Sequence, residues 1–186
     1  MDANILQGQR VRLTALTDED LPTVAGWFED AEFMRMFDAL PAFPKTKPGL
    51  QEWLAEGRKA HDGFLFAVRR IEDDALIGYI ELDGILWAHG TAWFSIAVGK
   101  REHWGKGYGT EAAQVVLKFA FNELNLHRVQ ATVFSYNARS NALFQKLGFQ
   151  REGVFREFLQ RDGQRHDMVL YGLLRREWAE AQSPGI

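Results

Sequence analysis

The stretch that most constrains this chain is Trp104-Gly105-Lys106-Gly107-Tyr108-Gly109-Thr110-Glu111-Ala112. Glycines alternate at 105, 107 and 109, just after a strand-like run at 91–99 and just before helix-forming residues from Thr110 onward. Glycine reaches left-handed dihedrals without a Cβ penalty and lets a ligand approach the main chain. A turn of this kind, entering a helix, points N–H groups into a concavity. The helix start adds unpaired donors and a partial positive charge. The stretch therefore reads as a phosphate cradle. A plain strand-to-helix turn has the same composition, and spacing alone does not separate the two. It is not a Walker loop, since no Gly-Lys-Ser/Thr follows at the required spacing, nor is it the dinucleotide G-x-G-x-x-G.

Around that loop, strands and helices are mixed. Residues 9–16 alternate, Arg10 and Arg12 facing opposite to Val11 and Leu13, as a half-buried strand does. Thr17-Asp18-Glu19-Asp20 is a helix-start signal leading into Leu21, Val24, Trp27 and Phe28. Residues 31–49 hold Pro41, Pro44 and Pro48 and read as irregular or broken helix. Residues 49–61 read as a helix with Leu50, Trp53 and Leu54 on one face. Strands are expected at 63–70, 75–82 and 91–99, the first two joined at Asp73-Asp74 and the third reached through 87–90. After the loop, 110–124 is helical, with Ala112, Val116, Phe119 and Ala120 facing a core. Residues 128–134 form a strand and 137–147 a short helix closed by Gly148. Two long strands over 149–174 turn at Asp162-Gly163, before a short segment around Trp178. This order implies one α/β domain over residues 1–186, antiparallel early, with a strand–helix–strand crossover in its middle.

Composition excludes several classes. A net charge of −3 is too mild to argue for nucleic-acid or membrane binding, and neither is expected. No apolar run approaches the roughly 20 residues that span a bilayer. The start MDANILQGQR lacks the charged-then-apolar order of a secretory signal. With no cysteine, disulfides, thiolate zinc sites and a cysteine nucleophile are out; no His-Glu spacing suggests a metal either. These are the features of a cytoplasmic protein. Charge is unevenly spread: residues 1–90 carry 9 Lys/Arg against 16 Asp/Glu, residues 91–186 carry 13 against 9. A basic half suits a polyanion and an acidic half a cation, although solvated surface charge clusters in the same way.

The run WGKGYGTEA resembles the acetyl-CoA pyrophosphate loop of the GNAT N-acetyltransferase superfamily, whose pattern is Arg/Gln-x-x-Gly-x-Gly/Ala. Gly107 and Gly109 match the two small positions. Trp104 stands in the first, a departure familiar from the branch that acetylates ribosomal-protein N-termini. The run from Asn137 to Phe149, NARSNALFQKLGF, resembles the family's second cofactor motif. The tail from Arg151-Glu152-Gly153 to Trp178 is similar to the same branch.

The resemblance implies an α/β (α+β) GNAT fold: a mixed, mostly antiparallel seven-stranded sheet, splayed between strands four and five and flanked by helices. It implies that the pantetheine arm of acetyl-CoA pairs with backbone around Ile96 and Val98. The pyrophosphate would lie on the loop Trp104, Gly105, Lys106, Gly107, Tyr108, Gly109 and Thr110, with Asn137 and Ser140 facing the thiol end. The implied partners are acetyl-CoA and an amine acceptor, and a homodimer is compatible with the family. Two catalytic positions depart from the pattern. Phe144 replaces the tyrosine that protonates the departing thiolate in many members, which leaves Ser140 as the nearest hydroxyl donor. Trp93 replaces the acidic base often found on the fourth strand; Glu81, Asp83, His89 and His166 are the alternatives.

Plainer roles stand beside these. Asn137 is a good helix N-cap and Ser140 an ordinary first-turn residue. Glu102 and His103 read as surface. Trp27, Trp53, Trp87 and Trp93 read first as core, with Trp87 and Trp93 as candidate walls of an acceptor pocket. The function implied is direct acetyl transfer in a ternary complex to an amine, foremost a protein or peptide N-terminus. Polyamine or antibiotic acetylation and a non-catalytic acyl-CoA-binding sensor are the alternatives.

Overall fold

A computed structural model of the chain describes residues 4–182; the ends of the expected domain, 1–3 and 183–186, lie outside the described residues. Seven strands form one sheet: β1 (Val11–Ala15), β2 (Phe64–Arg70), β3 (Leu76–Leu86), β4 (Thr91–Val98), β5 (Arg128–Phe134), β6 (Gln150–Arg161) and β7 (Gln164–Leu174). Their order is β1-β2-β3-β4-β5-β7-β6, and every neighbouring pair is antiparallel except β4 and β5. The parallel pair is short. It runs from Thr91 opposite Arg128 to Trp93 opposite Gln130 and stops there, whereas β5 stays paired with β7 as far as Phe134 opposite Met168. The sheet therefore forks beyond Trp93, as expected between its fourth and fifth strands.

Helices cover both faces because the strands alternate. From β3 and β4, Ile80, Leu82 and Phe94 pack with Ala112, Val116 and Phe121 of the crossover helix, while Tyr79 and Ala97 pack with Trp27, Phe33, Leu50 and Leu54 on the other face. The covering helices are α1 (Leu21–Trp27), α2 (Ala31–Phe37), α3 (Lys47–Lys59), α4 (Tyr108–Lys118), α5 (Ala138–Lys146) and α6 (Arg175–Gln182). Trp178 of α6 closes on Phe121 with ring centroids 5.2 Å apart. Among the described residues no helix is long and apolar enough to cross a membrane.

Three local readings change. The irregular segment expected over 31–49 begins with a regular helix, α2. Asp30 caps it by accepting the N–H groups of Glu32 and Phe33 at 2.9 and 3.4 Å. Irregular chain is confined to 38–46, and Pro48 lies in the first turn of α3, where its missing N–H costs nothing. β3 continues past residue 82 to Leu86, and α4 loosens into a π-helical turn at Phe119–Glu123. The hairpin at Asp162-Gly163 is as expected. Both residues have positive φ, 50° and 75°, matching the twist of the long strands they join.

Candidate active site

Where β4 and β5 part, the edge of β4 from Phe94 to Val98 has no strand beside it, and Ile96, Ala97 and Val98 border a cleft. The cleft has two lobes, about 390 and about 410 Å³, which meet at Ile96, Asn137 and Ser140.

Gly105, Gly107, Gly109 and Thr110 line the first lobe. Gly107 is the N-cap of α4 at φ 84°, and no side chain caps the helix. The first amides of α4 are thus left for a ligand, and the positive end of the helix dipole opens on the cleft; an anion is what such a terminus takes. Arg10 braces the loop from behind. Its Nη1 donates to the Lys106 carbonyl at 3.0 Å, and its Nε and main-chain N–H hold the Glu111 carboxylate at 2.9 and 2.6 Å. The dihedral favours glycine at 107, and a Cβ there would also press on Arg10 Nη2 at 3.0 Å. On the cleft side the Trp104 indole N–H donates to the Val98 carbonyl at 2.6 Å. The Arg139 guanidinium stacks over that indole 3.8 Å from the ring centroid.

α5 forms the facing wall. Asn137 Oδ1 accepts the Ser140 N–H at 3.1 Å and its Nδ2 donates to the Met36 carbonyl at 3.0 Å, so one buried amide caps α5 and ties it to α2. The Ser140 hydroxyl lies at the junction of the lobes and has no hydrogen-bond partner among the described residues. Phe144, one turn on, is buried against Tyr171 and Phe94 at centroid distances of 5.8 and 5.7 Å. The Tyr171 hydroxyl donates to Asn141 Oδ1 at 2.9 Å; among the described residues no tyrosine lines either lobe.

The second lobe is walled by Phe37, Trp93, Phe134, Phe158 and Met168, and among the described residues its only charged lining groups are Asp38 and Asp83. Asp38 already accepts the Leu40 N–H at 2.9 Å. Asp83 has its pKa raised by burial. Glu81, its neighbour on the same face of β3, is pushed up to about 7, first by burial and then by the Asp83 charge. Arg161 straps the lobe shut on one side, with Nη2 at 2.9, 3.0 and 3.0 Å from the carbonyls of Asp38, Ala39 and Leu40. An ion pair between Arg35 and Asp162 lies alongside.

An anion cradle, a free hydroxyl at a junction and a largely apolar lobe with carboxylates suit transfer of a group from an anionic carrier to an amine. Residues 10–150 match the family described as Acetyltransferase (GNAT) domain. The chain belongs to this family. An SPbeta prophage-derived uncharacterized N-acetyltransferase of Bacillus subtilis (strain 168) is 32% identical over 171 residues, covering 92% of this chain and 93% of that one. The ribosomal protein uS5-alanine N-acetyltransferase of Escherichia coli (strain K12) is 24% identical over 179 residues, covering 93% of this chain and 92% of that one. A spermidine N-acetyltransferase from Vibrio cholerae, solved with CoA and spermine, shares the fold with a TM-score of 0.84 at 24% identity, over 92% of this chain and 99% of that one. The molecule is thus an acetyltransferase with the forked GNAT sheet.

Of the GNAT positions singled out in the sequence, Ile96, Val98, Trp104, Gly105, Gly107, Gly109, Thr110, Asn137 and Ser140 line the first lobe. Lys106 and Tyr108 do not. The Lys106 side chain is exposed, and Tyr108 turns toward Arg10 and His103. His103 corrects the surface expectation: it is buried in the turn before the loop, its Nδ1 lacks a partner, and burial keeps its pKa below the ordinary value. Glu102 is exposed. Trp93 lines the second lobe, but Trp87 lies off the cleft, donating to the His61 carbonyl at 3.0 Å. Trp27 is core and Trp53 packs on Tyr79. Neither His89 nor His166 lines the cleft; His166 sits edge-on against Tyr136 at 5.0 Å.

Sequence reasoning missed Phe33, Met36 and Phe37, because the prolines downstream hid the helix that carries them. The signal was there: an Asp30 cap followed by Phe33, Met34 and Phe37 at helical spacing. It also missed Arg139 and Lys146, seven residues apart on α5 and so on one face with Leu143.

Proposed function

We propose that this acetyltransferase carries an acetyl group from acetyl-CoA to the N-terminal α-amino group of a protein or peptide, by direct attack in a ternary complex. The observation that carries the acceptor class is the second lobe: one carboxylate, Asp83, that is bonded to no other residue among the described residues, set among methionine, phenylalanine and tryptophan side chains. Such a lobe suits one ammonium followed by an apolar or neutral chain. A polyamine would bring further ammonium groups onto that apolar wall, and a desolvated charge without a partner is costly.

The donor reading rests on the first lobe. The uncapped amides of α4 and the Arg139 and Lys146 side chains suit the phosphates of acetyl-CoA, and the unpaired β4 edge suits its amide-bearing arm. The thioester would then reach Ser140, whose hydroxyl is free to donate a hydrogen bond to the departing thiolate. No cysteine is present to carry the acetyl group, which favours direct transfer.

Nucleophile chemistry favours the same acceptor. An α-amine with a pKa of about 7.8 is roughly 14% neutral at pH 7, a lysine-type amine of about 10.4 only about 0.04%. The difference is about 3.5 kcal/mol. The test compares kcat/KM at pH 7 for N-terminal peptides, spermidine and N-blocked lysine. Peptides are expected to lead. Spermidine or the lysine derivative ahead would overturn the acceptor class, and acetyl-CoA binding without thiol release on any amine would make the chain an acyl-CoA sensor.

A further inference from the structure

An ammonium must lose a proton before its nitrogen can attack a thioester. β4 offers no carboxylate, because Trp93, Phe94, Ser95 and Ile96 are what it brings to the second lobe, and neither an indole nor a hydroxyl takes up a proton at neutral pH. β3 does. Alternate residues of a strand share a face. Tyr79 packs beneath Trp27, Phe37 and Trp53, and Asp83 lines the lobe, so Glu81 lies between them on that face. The register sets Glu81 opposite Ser95 and Asp83 opposite Trp93. Directly opposed side chains have Cβ atoms about 5 Å apart, so Glu81, which stands behind the lining of the second lobe, adjoins two lobe residues at once, Ser95 and Asp83. It is half-buried and has no hydrogen-bond or ion-pair partner among the described residues. The carboxylates of Asp20, Asp30, Asp73 and Glu152, by contrast, are each held by an arginine.

We propose that Glu81 is the catalytic base, the group that takes the proton of the acceptor ammonium, and the proposal rests on the N-terminal acceptor reading above. The proton passes from nitrogen through one water in the lobe to the Glu81 carboxylate. The freed lone pair forms the N–C bond to the acetyl carbonyl, and the C–S bond breaks. The second nitrogen proton goes to the departing thiolate, giving free thiol, and Glu81 returns its proton to solvent.

The surroundings of Glu81 suit this task. Leu65 of β2 and Ser95 of β4 flank it, and Phe37 of α2 and Trp53 of α3 lie over the neighbouring Tyr79; all are neutral. The charges nearby are negative: Asp83 beside it, Asp62 acting on Asp83, and Asp38 acting on Tyr79. Burial and Asp83 together lift Glu81 to about 7. An α-ammonium at about 7.8 lies within about one pH unit of that value, and a lysine-type ammonium at about 10.4 more than three units above it. Proton transfer to Glu81 is therefore nearly balanced for the first acceptor and more than about a thousandfold unfavourable for the second.

The experiment measures kcat against pH for the wild type, Glu81→Gln and Glu81→Asp, with acetyl-CoA affinity by calorimetry and Tm at pH 4 and pH 8. Wild-type kcat should fall as pH drops below about 7. Glu81→Gln should cut kcat at pH 7 by about a hundredfold to ten-thousandfold and replace that limb by one set by the amine itself, at about 7.8 for an α-amine, above which the rate recovers. Glu81→Asp should restore part of the rate, and acetyl-CoA affinity should hold within about twofold, since Glu81 lies off the first lobe. A carboxyl whose pKa rises on folding destabilises the fold above its ordinary 4.5, and fully so above about 7. The glutamine variant should therefore match wild-type Tm at pH 4 and exceed it at pH 8. A Glu81→Gln enzyme with wild-type kcat and an unchanged limb overturns the proposal on any acceptor. If spermidine is the true substrate, loss of the limb on spermidine upholds Glu81 while the N-terminal reading fails.

Discussion

The first lobe of the cleft takes most of its chemistry from the main chain, whereas the second takes it from side chains delivered by α2, β3, β4, β5, α5, β6 and β7. In the first, a glycine at φ 84° and an uncapped helix start produce donors within six consecutive residues. In the second, Asp83, Trp93, Phe134, Phe158 and Met168 meet only because the sheet forks beyond Trp93 and the β6–β7 hairpin folds back over the opening. A main-chain site tolerates side-chain change but not a change of dihedral. A side-chain site tolerates neither loss of its members nor loosening of the strap that gathers them.

Gly107→Val should break the first lobe and spare the second. Valine is strained at φ 84° and its Cβ would meet Arg10, so the loop amides must reorient. Acetyl-CoA affinity by calorimetry is expected to fall about a hundredfold or more in a protein whose circular dichroism is unchanged. Gly109→Ala should fall less than about tenfold: Gly109 is not in the left-handed region, and its Cβ would find Val98 Cγ2 at an ordinary 3.4 Å. Unchanged affinity in a folded Gly107→Val protein would mean the lobe does not act through its main chain.

Ser140→Ala tests the junction. Only a hydroxyl without other partners is removed, so acetyl-CoA affinity should stay within several-fold while kcat drops about tenfold to a thousandfold. A coenzyme thiol, with a pKa of about 8.5 like that of cysteine, needs only modest help to leave, which sets the lower end of that range. Full kcat in the variant would clear Ser140 of a part in the chemistry.

Apart from the Gly109→Ala control, the smallest expected effect is that of Arg161→Ala, which sharpens the comparison from the other side. Removing the guanidinium frees the carbonyls of Asp38, Ala39 and Leu40 and loosens one wall of the second lobe. Hydrogen bonds to a charged group contribute about 1.5–3 kcal/mol, so acceptor KM should rise roughly tenfold with acetyl-CoA affinity unchanged. Equal losses for both substrates would show that the lobes do not fail separately.

The same contrast governs how much could be read in advance. The loop was legible because its signal is local: strand, alternating glycines, helix start. The hairpin at Asp162-Gly163 was legible for the same reason. Asn137 was foreseen both as a cap and as a cleft residue, and the structure gives its amide a further use, the bond to the Met36 carbonyl. What failed were judgements of exposure. His103 is buried and Trp87 is not in the cleft, and neither fact is written in the residues adjacent to them.

By itself, then, the sequence determined the strand order and the helices other than α2, the glycine loop, the departures at Trp93 and Phe144, and the lack of any cysteine to carry an acetyl group. These follow from backbone dihedrals, side-chain periodicity and residue chemistry, all of which act over a few residues. The tertiary structure alone decided that β4 and β5 separate after three paired residues, that Ser140 stands where two lobes meet, and that Glu81 keeps its carboxylate unpaired beside Asp83. A pairing register, a cavity and a desolvated charge are each set by groups far apart in the chain. No stretch of sequence holds the neighbours that raise the proton affinity of Glu81; folding assembles them.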